Sequence, residues 1–417
     1  MPEPGLIPSR PPVAPSGPRV LVIAGEASGD MHGARLAKSL LRARPEIRLY
    51  GIGGGAMAEA GVSLMFHASE LAVVGITEIL GRLRHIGKAL REVKLQLNRE
   101  PPDLLVLIDF PDFNLRLARV AARRGIPVVY YISPQIWAWR RARIRQIAQT
   151  VSRMIVIFPF EEALYRKSGV PVSYVGHPLL DALEEVSEQT RSEEHDGLGL
   201  SPLFPVVGLF PGSRSGEVSR LLPAMLAGAG SLRSRFPRTQ FLLGQAPGLP
   251  DEVYTPILES GRLPVRRVRS ATTRAMALCD LAIVASGTAT LELALLGVPM
   301  IVVYKVSPVT FLLGRLLVRV PSISLVNLVS RRAVVPELLQ GDLKPEAIGA
   351  LCCRLLESSI YYFDVKKGLA EVRDLLGRPG ASERAAAVIL EMLPDRARVE
   401  ARGPHAARAA GPVCRPR

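Results

Sequence analysis

The 417-residue chain carries 53 Lys and Arg against 38 Asp and Glu, a formal charge of +15, with 48% hydrophobic and 5% aromatic residues. Such a length holds two ordinary domains with sizeable cores, and the basic surplus points to phosphate-bearing substrates or an anionic membrane surface. So few rings argue against a stacking groove for nucleic acid, and no stretch reaches the roughly 18 apolar residues of a membrane span.

Residues 1–18 are Pro-rich, lack the apolar core of a signal peptide, and are expected to be a disordered lead-in. Four cysteines (Cys279, Cys352, Cys353, Cys414) show neither metal-ligand spacing nor a disulfide framework, which suits a reducing cytosol. The apolar run Val20–Ala24 predicts a buried strand. It enters a turn holding Gly25, Gly29 and Gly33, and Ala34, Leu36, Ala37, Leu40 and Leu41 then mark a helix. Strand, glycine turn and helix open a nucleotide-binding α/β unit. Yet these glycines do not follow G-x-G-x-x-G, and Glu26 and Asp30 in the turn would repel a diphosphate.

Further on, Ile79, Leu83, Ile86, Leu90, Val93 and Leu97 recur at helical spacing, with Arg82, Arg84, Lys88, Arg91 and Lys94 on other faces. This is either a core-facing helix with a solvated basic side or an interfacial helix for acyl chains and anionic head groups. The strand Leu104–Ile108 ends at Asp109, where open α/β sheets place their ligands. Asp112 opens the next helical pattern as its cap or as a second functional acid, and Asn114 supports the turn. After the strand Val128–Ile132 come Trp137 and Trp139, then Arg140, Arg141, Arg143 and Arg145: aromatics packed at the base of a basic helix, or a cleft wall. Another strand is expected at Met154–Phe158, and His177 stands near a hinge, structural or facing a cleft. Residues 19–182 form the first expected domain and polar 183–205 the linker.

In the second expected domain, 206–394, the strand Val206–Phe210 runs into Pro211, Gly212, Ser213 and Arg214. The strand Leu281–Ala285 runs into Ser286, Gly287 and Thr288, with Glu292 one helical turn on. Further strands are expected at Gln240–Leu243 and Met300–Tyr304. Each loop presents free backbone N–H groups at a helix start, where a diphosphate is stabilised, and Arg214 adds a fork of donors. A single loop of this kind is equally an ordinary capped βα turn; two together favour a nucleoside diphosphate, with Glu292 placed for ribose hydroxyls. Neither loop is a P-loop, and no D-x-D occurs, so a metal-clamped diphosphate is not indicated. Val309–Val320 repeats the amphipathic ambiguity of the first half, and basic 395–417 is expected to be a disordered tail. Strands alternating with helices on this scale give an α/β protein with parallel sheets.

From about Arg19 to Leu393 the ordered motifs AGEASGDMHGA, ELAVVGITEILGRLRHI, IDFPDFN, PQIWAWR, PFE, YVGHPLLD, PGSR, ASGTATLE, YKVSP and ELLQ resemble the lipid-A-disaccharide synthase family. The resemblance implies a GT-B type fold: two Rossmann-like domains with parallel sheets facing a cleft. It implies an inverting glycosyltransferase that joins UDP-2,3-diacylglucosamine to 2,3-diacylglucosamine 1-phosphate (lipid X), releasing UDP and a β-1,6-linked disaccharide 1-phosphate. No cofactor or metal is expected, and the implied location is cytoplasmic, peripheral on the inner face of a Gram-negative inner membrane. Partners are then the two lipid substrates and the anionic membrane surface, with no nucleic acid; a homodimer is compatible. By resemblance Asp109 falls on the proposed catalytic carboxylate, Arg214 on an essential arginine and Asn327 on a functional asparagine. Val326 stands where the family usually has proline, Ser322 where an aromatic is common, and Arg331 where glycine is typical. Glu26, Ser28 and Asp30 are then assigned to the acceptor side of the cleft, with helix capping as the plainer role for Ser28 and Asp30; Gly29 and Gly33 would admit a close approach. Substrate-binding candidates are Glu26, Ser28, Asp30, Asp112, Trp137, His177, Gly212, Ser213, Ser286, Gly287, Thr288 and Glu292. Two alternatives stay open: another GT-B enzyme of UDP-sugars (a peptidoglycan N-acetylglucosaminyltransferase or a UDP-sugar 2-epimerase), and a non-catalytic basic membrane-binding protein.

Overall fold

A computed structural model describes residues 17–68, 79–138, 142–182, 188–261, 263–269, 272–307, 311 and 321–394, with the backbone alone at 27, 79–86, 188–189 and 272. The expected N-terminal lead-in (apart from its last two residues), the C-terminal tail, Trp139, Arg140, Arg141 and nearly all of the Val309–Val320 stretch lie outside the described residues, as do most of the ELAVVGITEILGRLRHI motif's side chains.

The first half alternates β1 (Arg19–Ala24), α1 (Ala27–Ala43), β2 (Arg48–Gly53), α2 (Gly55–Glu59), β3 (Ser63–His67), α3 (Ile79–Arg99), β4 (Leu104–Ile108), α4 (Pro111–Ala122), β5 (Val128–Tyr131), α5 (Arg143–Thr150), β6 (Arg153–Val156), α6 (Pro159–Lys167) and β7 (Val172–Tyr174). Its seven strands pair in parallel in the order β3-β2-β1-β4-β5-β6-β7. Alternate residues of β1 and β4 serve opposite faces: Val20, Val22, Leu104 and Val106 join one core cluster, Leu21, Ile23, Leu105 and Leu107 the other. All are essentially inaccessible to solvent, and each such side chain stabilises by about 2 kcal/mol. Two covered faces are why these strands read as unbroken apolar runs.

After α7 (Glu188–Gly197) the second half runs β8 (Val206–Phe210), α8 (Ser215–Arg235), β9 (Gln240–Gln245), α9 (Thr255–Gly261), β10 (Arg266–Arg269), α10 (Thr272–Ala277), β11 (Leu281–Ala285), α11 (Thr288–Leu295), β12 (Met300–Tyr304), α12 (Leu325–Ser330), β13 (Glu337–Leu339), α13 (Pro345–Glu357), α14 (Ser359–Leu375) and α15 (Ala381–Met392). Six parallel strands follow the order β10-β9-β8-β11-β12-β13. The α/β expectation is met in both halves.

Two departures concern the domain borders. The polar stretch expected as a linker contains α7, whose His195 is buried and whose Glu194 pairs with Arg274 at 3.6 Å. The last helix, α15, leaves the second sheet and packs on α1. Its first turn is capped from the first half: Asp181 accepts N–H bonds from Gly380 (2.6 Å), Ala381 (3.3 Å) and Ser382 (3.3 Å). Nearby, the backbone N–H of His177 donates to Leu376, Tyr174 Oη to Leu375 and Arg384 Nε to Val175.

Asp181→Ala removes three bonds to a carboxylate and is expected to lower unfolding free energy by about 1–3 kcal/mol, read from urea melts. The same seam makes the protein acid-labile. Burial and then Arg35 lower the His32 pKa to about 4, and burial and then His32 lower that of His177 to about 3. Their folded values lie below the unfolded one of about 6.5, so this stability is complete above pH ~6.5 and declines as pH falls towards 4 and 3.

Candidate active site

Both sheets change direction between adjacent strands that leave in opposite senses, β1/β4 in the first and β8/β11 in the second. At such switch points the connections diverge and leave a crevice beyond the carboxyl ends. Register makes the ends level: Ala24 pairs with Ile108, and Val284 with Phe210. Gly25 and Glu26 therefore flank Asp109, and Ser286 lies beside the Gly212 loop.

Asp109 and Phe110 are both left-handed, at φ 45° and 44°. For residues with a Cβ this costs roughly 1–2 kcal/mol each. Asn114, fully buried, donates from Nδ2 to the carbonyls of Ile108 (3.1 Å) and Asp109 (2.7 Å), and Tyr130 Oη donates to the Asp109 carbonyl at 2.5 Å. Phe110 stacks on Phe113, with centroids 5.4 Å apart, and fills the space over Gly25, where a Cβ would lie 2.3 Å from the ring. The turn is thus clamped, and the Asp109 carboxyl is mostly buried beside Glu26. Burial first, and Glu26's charge second, raise its pKa to about 6.

The rest of the first glycine turn is structural. Asp30 accepts N–H bonds from Gly54 (2.6 Å), Ala56 (3.1 Å) and Met57 (3.1 Å), so it caps α2 and does not present its carboxylate to a sugar. A Cβ on Gly33 would meet Met57 Sδ at 2.5 Å, so this glycine admits a neighbouring side chain and no substrate. Glu26 and Ser28 remain exposed at the sheet edge, and the Glu26 side chain makes no cap bond.

Asp112 does not cap α4, whose N-cap is Phe110; its exposed carboxylate pairs with Arg143. Trp137 donates from Nε1 to buried Glu161 at 3.1 Å and meets Phe160 edge-on, an anchored wall more than a free surface. Burial raises the Glu161 pKa to about 8, against opposing bonds from Phe158, Trp137 and Ser133. His177 is 5% exposed; its Nδ1 accepts from the Leu179 N–H at 3.2 Å and its ring lies 5.1 Å from Phe158. In the fold His177 caps the short turn Pro178–Asp181.

On the second sheet, Gly212 takes φ 108° and Arg214 is the N-cap of α8 with an 80% exposed side chain. Glu217 folds back on this loop, accepting from the Ser213 N–H at 3.2 Å and Arg214 Nη1 at 2.8 Å. A carboxylate in that position shows that the loop attracts an anion. Gly287 is the N-cap of α11, Thr288 is exposed, and Ser286 Oγ donates to Ile323 at 3.1 Å. Glu292 accepts from Thr273 Oγ1 at 2.9 Å, and burial raises its pKa.

Asn327, expected to be functional, has its amide engaged within the fold. Its Nδ2 donates to Val335 (2.9 Å) and Glu337 Oε1 (2.8 Å), and its Oδ1 accepts from Val334 (2.8 Å) and Val335 (3.0 Å), which uses its whole amide. Glu337 also accepts from Ile323 (2.9 Å) and Ser324 (3.1 Å), so the pair ties this loop to the Ser286 turn. Val326 is fully buried in α12, and Arg331 ends that helix at φ 57°, a conformation that glycine adopts without strain.

Sequence reasoning gave no role to Tyr130, Glu161, Glu217 or Glu337, although Glu161 and Glu337 lie in the motifs PFE and ELLQ. Glu217, three residues after Arg214, carried a local helix-spacing signal. Tyr130 reaches the Asp109 carbonyl from the neighbouring strand, with no local signal, whereas Glu337 binds residues 10–14 positions upstream, just before its own strand.

Residues 20–388 match the lipid-A-disaccharide synthetase family. The chain belongs to this family. The lipid-A-disaccharide synthase of Geobacter sulfurreducens is 47% identical over 375 residues, 90% of this chain and 97% of its own length. That of Syntrophus aciditrophicus is 49% identical over 376 residues, with the same coverage. Among solved structures, the UDP-GlcNAc 2-epimerase of Neisseria meningitidis bound to UDP-GlcNAc superposes with a TM-score of 0.61 at 14% identity, over 89% of this chain and 100% of that one. The calicheamicin glycosyltransferase CalG4 gives 0.59 at 17%, over 91% and 98%. At such identities these neighbours show the fold: the GT-B glycosyltransferase architecture. Membership makes the chain a glycosyltransferase of lipid A disaccharide synthesis and sets aside the epimerase and the non-catalytic alternatives.

If Asp109 acts as the base, a carboxyl of pKa about 6 must be ionised to act, and kcat/KM should rise with pH through about 6. Glu26→Gln removes a neighbouring negative charge and should move this acid limb to lower pH, read from a pH–rate profile of each enzyme.

Proposed function

We propose that the protein transfers the diacylglucosamine of UDP-2,3-diacylglucosamine to the 6-hydroxyl of lipid X. The observation that carries this reading is the pairing of two unlike switch points. One holds a mostly buried carboxylate tuned towards neutrality; the other holds two amide-lined loops and an exposed arginine. The UDP-GlcNAc of the Neisseria epimerase structure supports a UDP-sugar at a fold of this kind.

In this reading the donor diphosphate displaces the Glu217 carboxylate from Ser213 and Arg214, and the α8 and α11 N-termini stabilise the charge that develops on departing UDP. Glu292 accepts hydrogen bonds from the ribose. Asp109 takes the proton of the acceptor hydroxyl as its oxygen attacks the anomeric carbon from the face opposite UDP. One displacement inverts that carbon through an oxocarbenium-like transition state. The raised pKa serves this step, because a base poised near neutrality gains more from the transfer than an ordinary carboxylate.

Among the described residues no helix is long and apolar enough to cross a membrane. Both substrates are lipids, and the chain carries +15, which supports action at the anionic cytoplasmic face of an inner membrane.

The test is Asp109→Asn. UDP release dependent on lipid X should fall by roughly a thousandfold or more, as for loss of a general base with its electrostatic role. The dissociation constant of UDP, by calorimetry, should stay within about twofold, since lost binding energy of even 1 kcal/mol shifts it about fivefold. Turnover near wild type, or lost UDP affinity, would refute the assignment.

A further inference from the structure

The Arg143–Asp112 pair is not used by the chemistry above. Asp112 lies in the first turn of α4 and Arg143 opens α5, and these helices follow the adjacent parallel strands β4 and β5. Both helix starts therefore sit at the same sheet edge as Asp109, with Asp112 three residues away. The Asp112 side chain is 70% exposed and that of Arg143 only 20%. Arg143 is held in place: Gln146 Nε2, on its helix, donates to the Leu115 carbonyl at 2.8 Å, and Ile147 is fully buried against the α4 side. It is also near the reacting backbone. Burial, then Asp109, then Tyr165 raise the pKa of the Tyr130 hydroxyl, which bonds the Asp109 carbonyl, while Asn114 and Arg143 oppose the rise. Arg116 is exposed one turn beyond Asp112 on the same face of α4, and α5 has no acid in its first turn.

A half-sequestered guanidinium with a solvated carboxylate partner holds that partner weakly. A phosphate dianion offers a fork-matched set of acceptors and more charge, so it competes well for the same donors. We propose that Arg143 is the specificity determinant for a phosphomonoester on the acceptor sugar, with Asp112 the resident counterion that the phosphate displaces. The inference rests on the reading of the acceptor as lipid X, whose 1-phosphate is on C1 and whose reacting 6-hydroxyl is on the carbon attached to C5, the two ring carbons that flank the ring oxygen. The charges on this edge then divide the labour. Glu26 keeps Asp109 basic, and Arg143 registers the anomeric phosphate of the same sugar.

The experiment compares lipid X with 2,3-diacylglucosamine lacking the phosphate, in phospholipid-free detergent micelles, for wild type, Arg143→Gln and Arg143→Lys. The quantity read is the ratio of kcat/KM values for the two acceptors. Loss of a charge-assisted contact should lower this preference by roughly ten- to a hundredfold in Arg143→Gln, mainly through KM for lipid X, with Arg143→Lys intermediate. A variant that merely packs badly loses activity on both acceptors and leaves the ratio unchanged, and that result overturns the proposal. If the effect of Arg143→Gln emerges only when phosphatidylglycerol vesicles replace the micelles, the arginine reads a membrane head group and the acceptor assignment is wrong. Absence of wild-type disaccharide from either acceptor would refute the reaction itself, and the proposal with it.

Discussion

The active edge of the first sheet depends on a pair of left-handed residues. Asp109 and Phe110 turn the chain sharply out of β4, and ordinary side chains resist that conformation. The Asn114 amide holds the turn from within α4, the Tyr130 hydroxyl holds it from β5, and the Phe110 ring seats itself over Gly25. Without these restraints the carboxylate would swing to solvent and recover an ordinary acidity. With them it stays buried near Glu26, and both circumstances disfavour its charge. The strain is local, but its product is a buried carboxyl whose pKa is raised to about 6.

The second sheet solves the opposite electrostatic problem with the same topology. Its switch-point loops gather backbone N–H groups and one arginine, and in the absence of ligand Glu217 answers that charge. Acids on one edge discourage a diphosphate there; donors on the other invite it.

A third element joins the halves. Asp181 of the first half caps the helix that returns from the second, and the buried neutral imidazoles of His32 and His177 lie at the same seam. Uncharged rings suit a junction that excludes water, and protonating either would place a cation where little solvates it. The helix α15 therefore packs on the first half, although its sequence neighbours belong to the second.

Central strands such as Leu104–Ile108 and Leu281–Ala285 were legible because burial on both faces demands unbroken aliphatic runs. The edge strands β3, β10 and β13 were not, since half-exposed positions accept Ser, Arg and Glu and erase the pattern. Asp109 and the two helix-start loops could be placed from residue order alone, because a parallel sheet puts its functional groups where strands end. Asp30, His177 and Asn327 could not be assigned that way. A carboxylate, an imidazole or an amide looks the same in one dimension whether its partner is a substrate or a backbone amide across the fold. Only the packed chain reveals which hydrogen-bonding capacity is already used, since that depends on distances set between residues far apart along it.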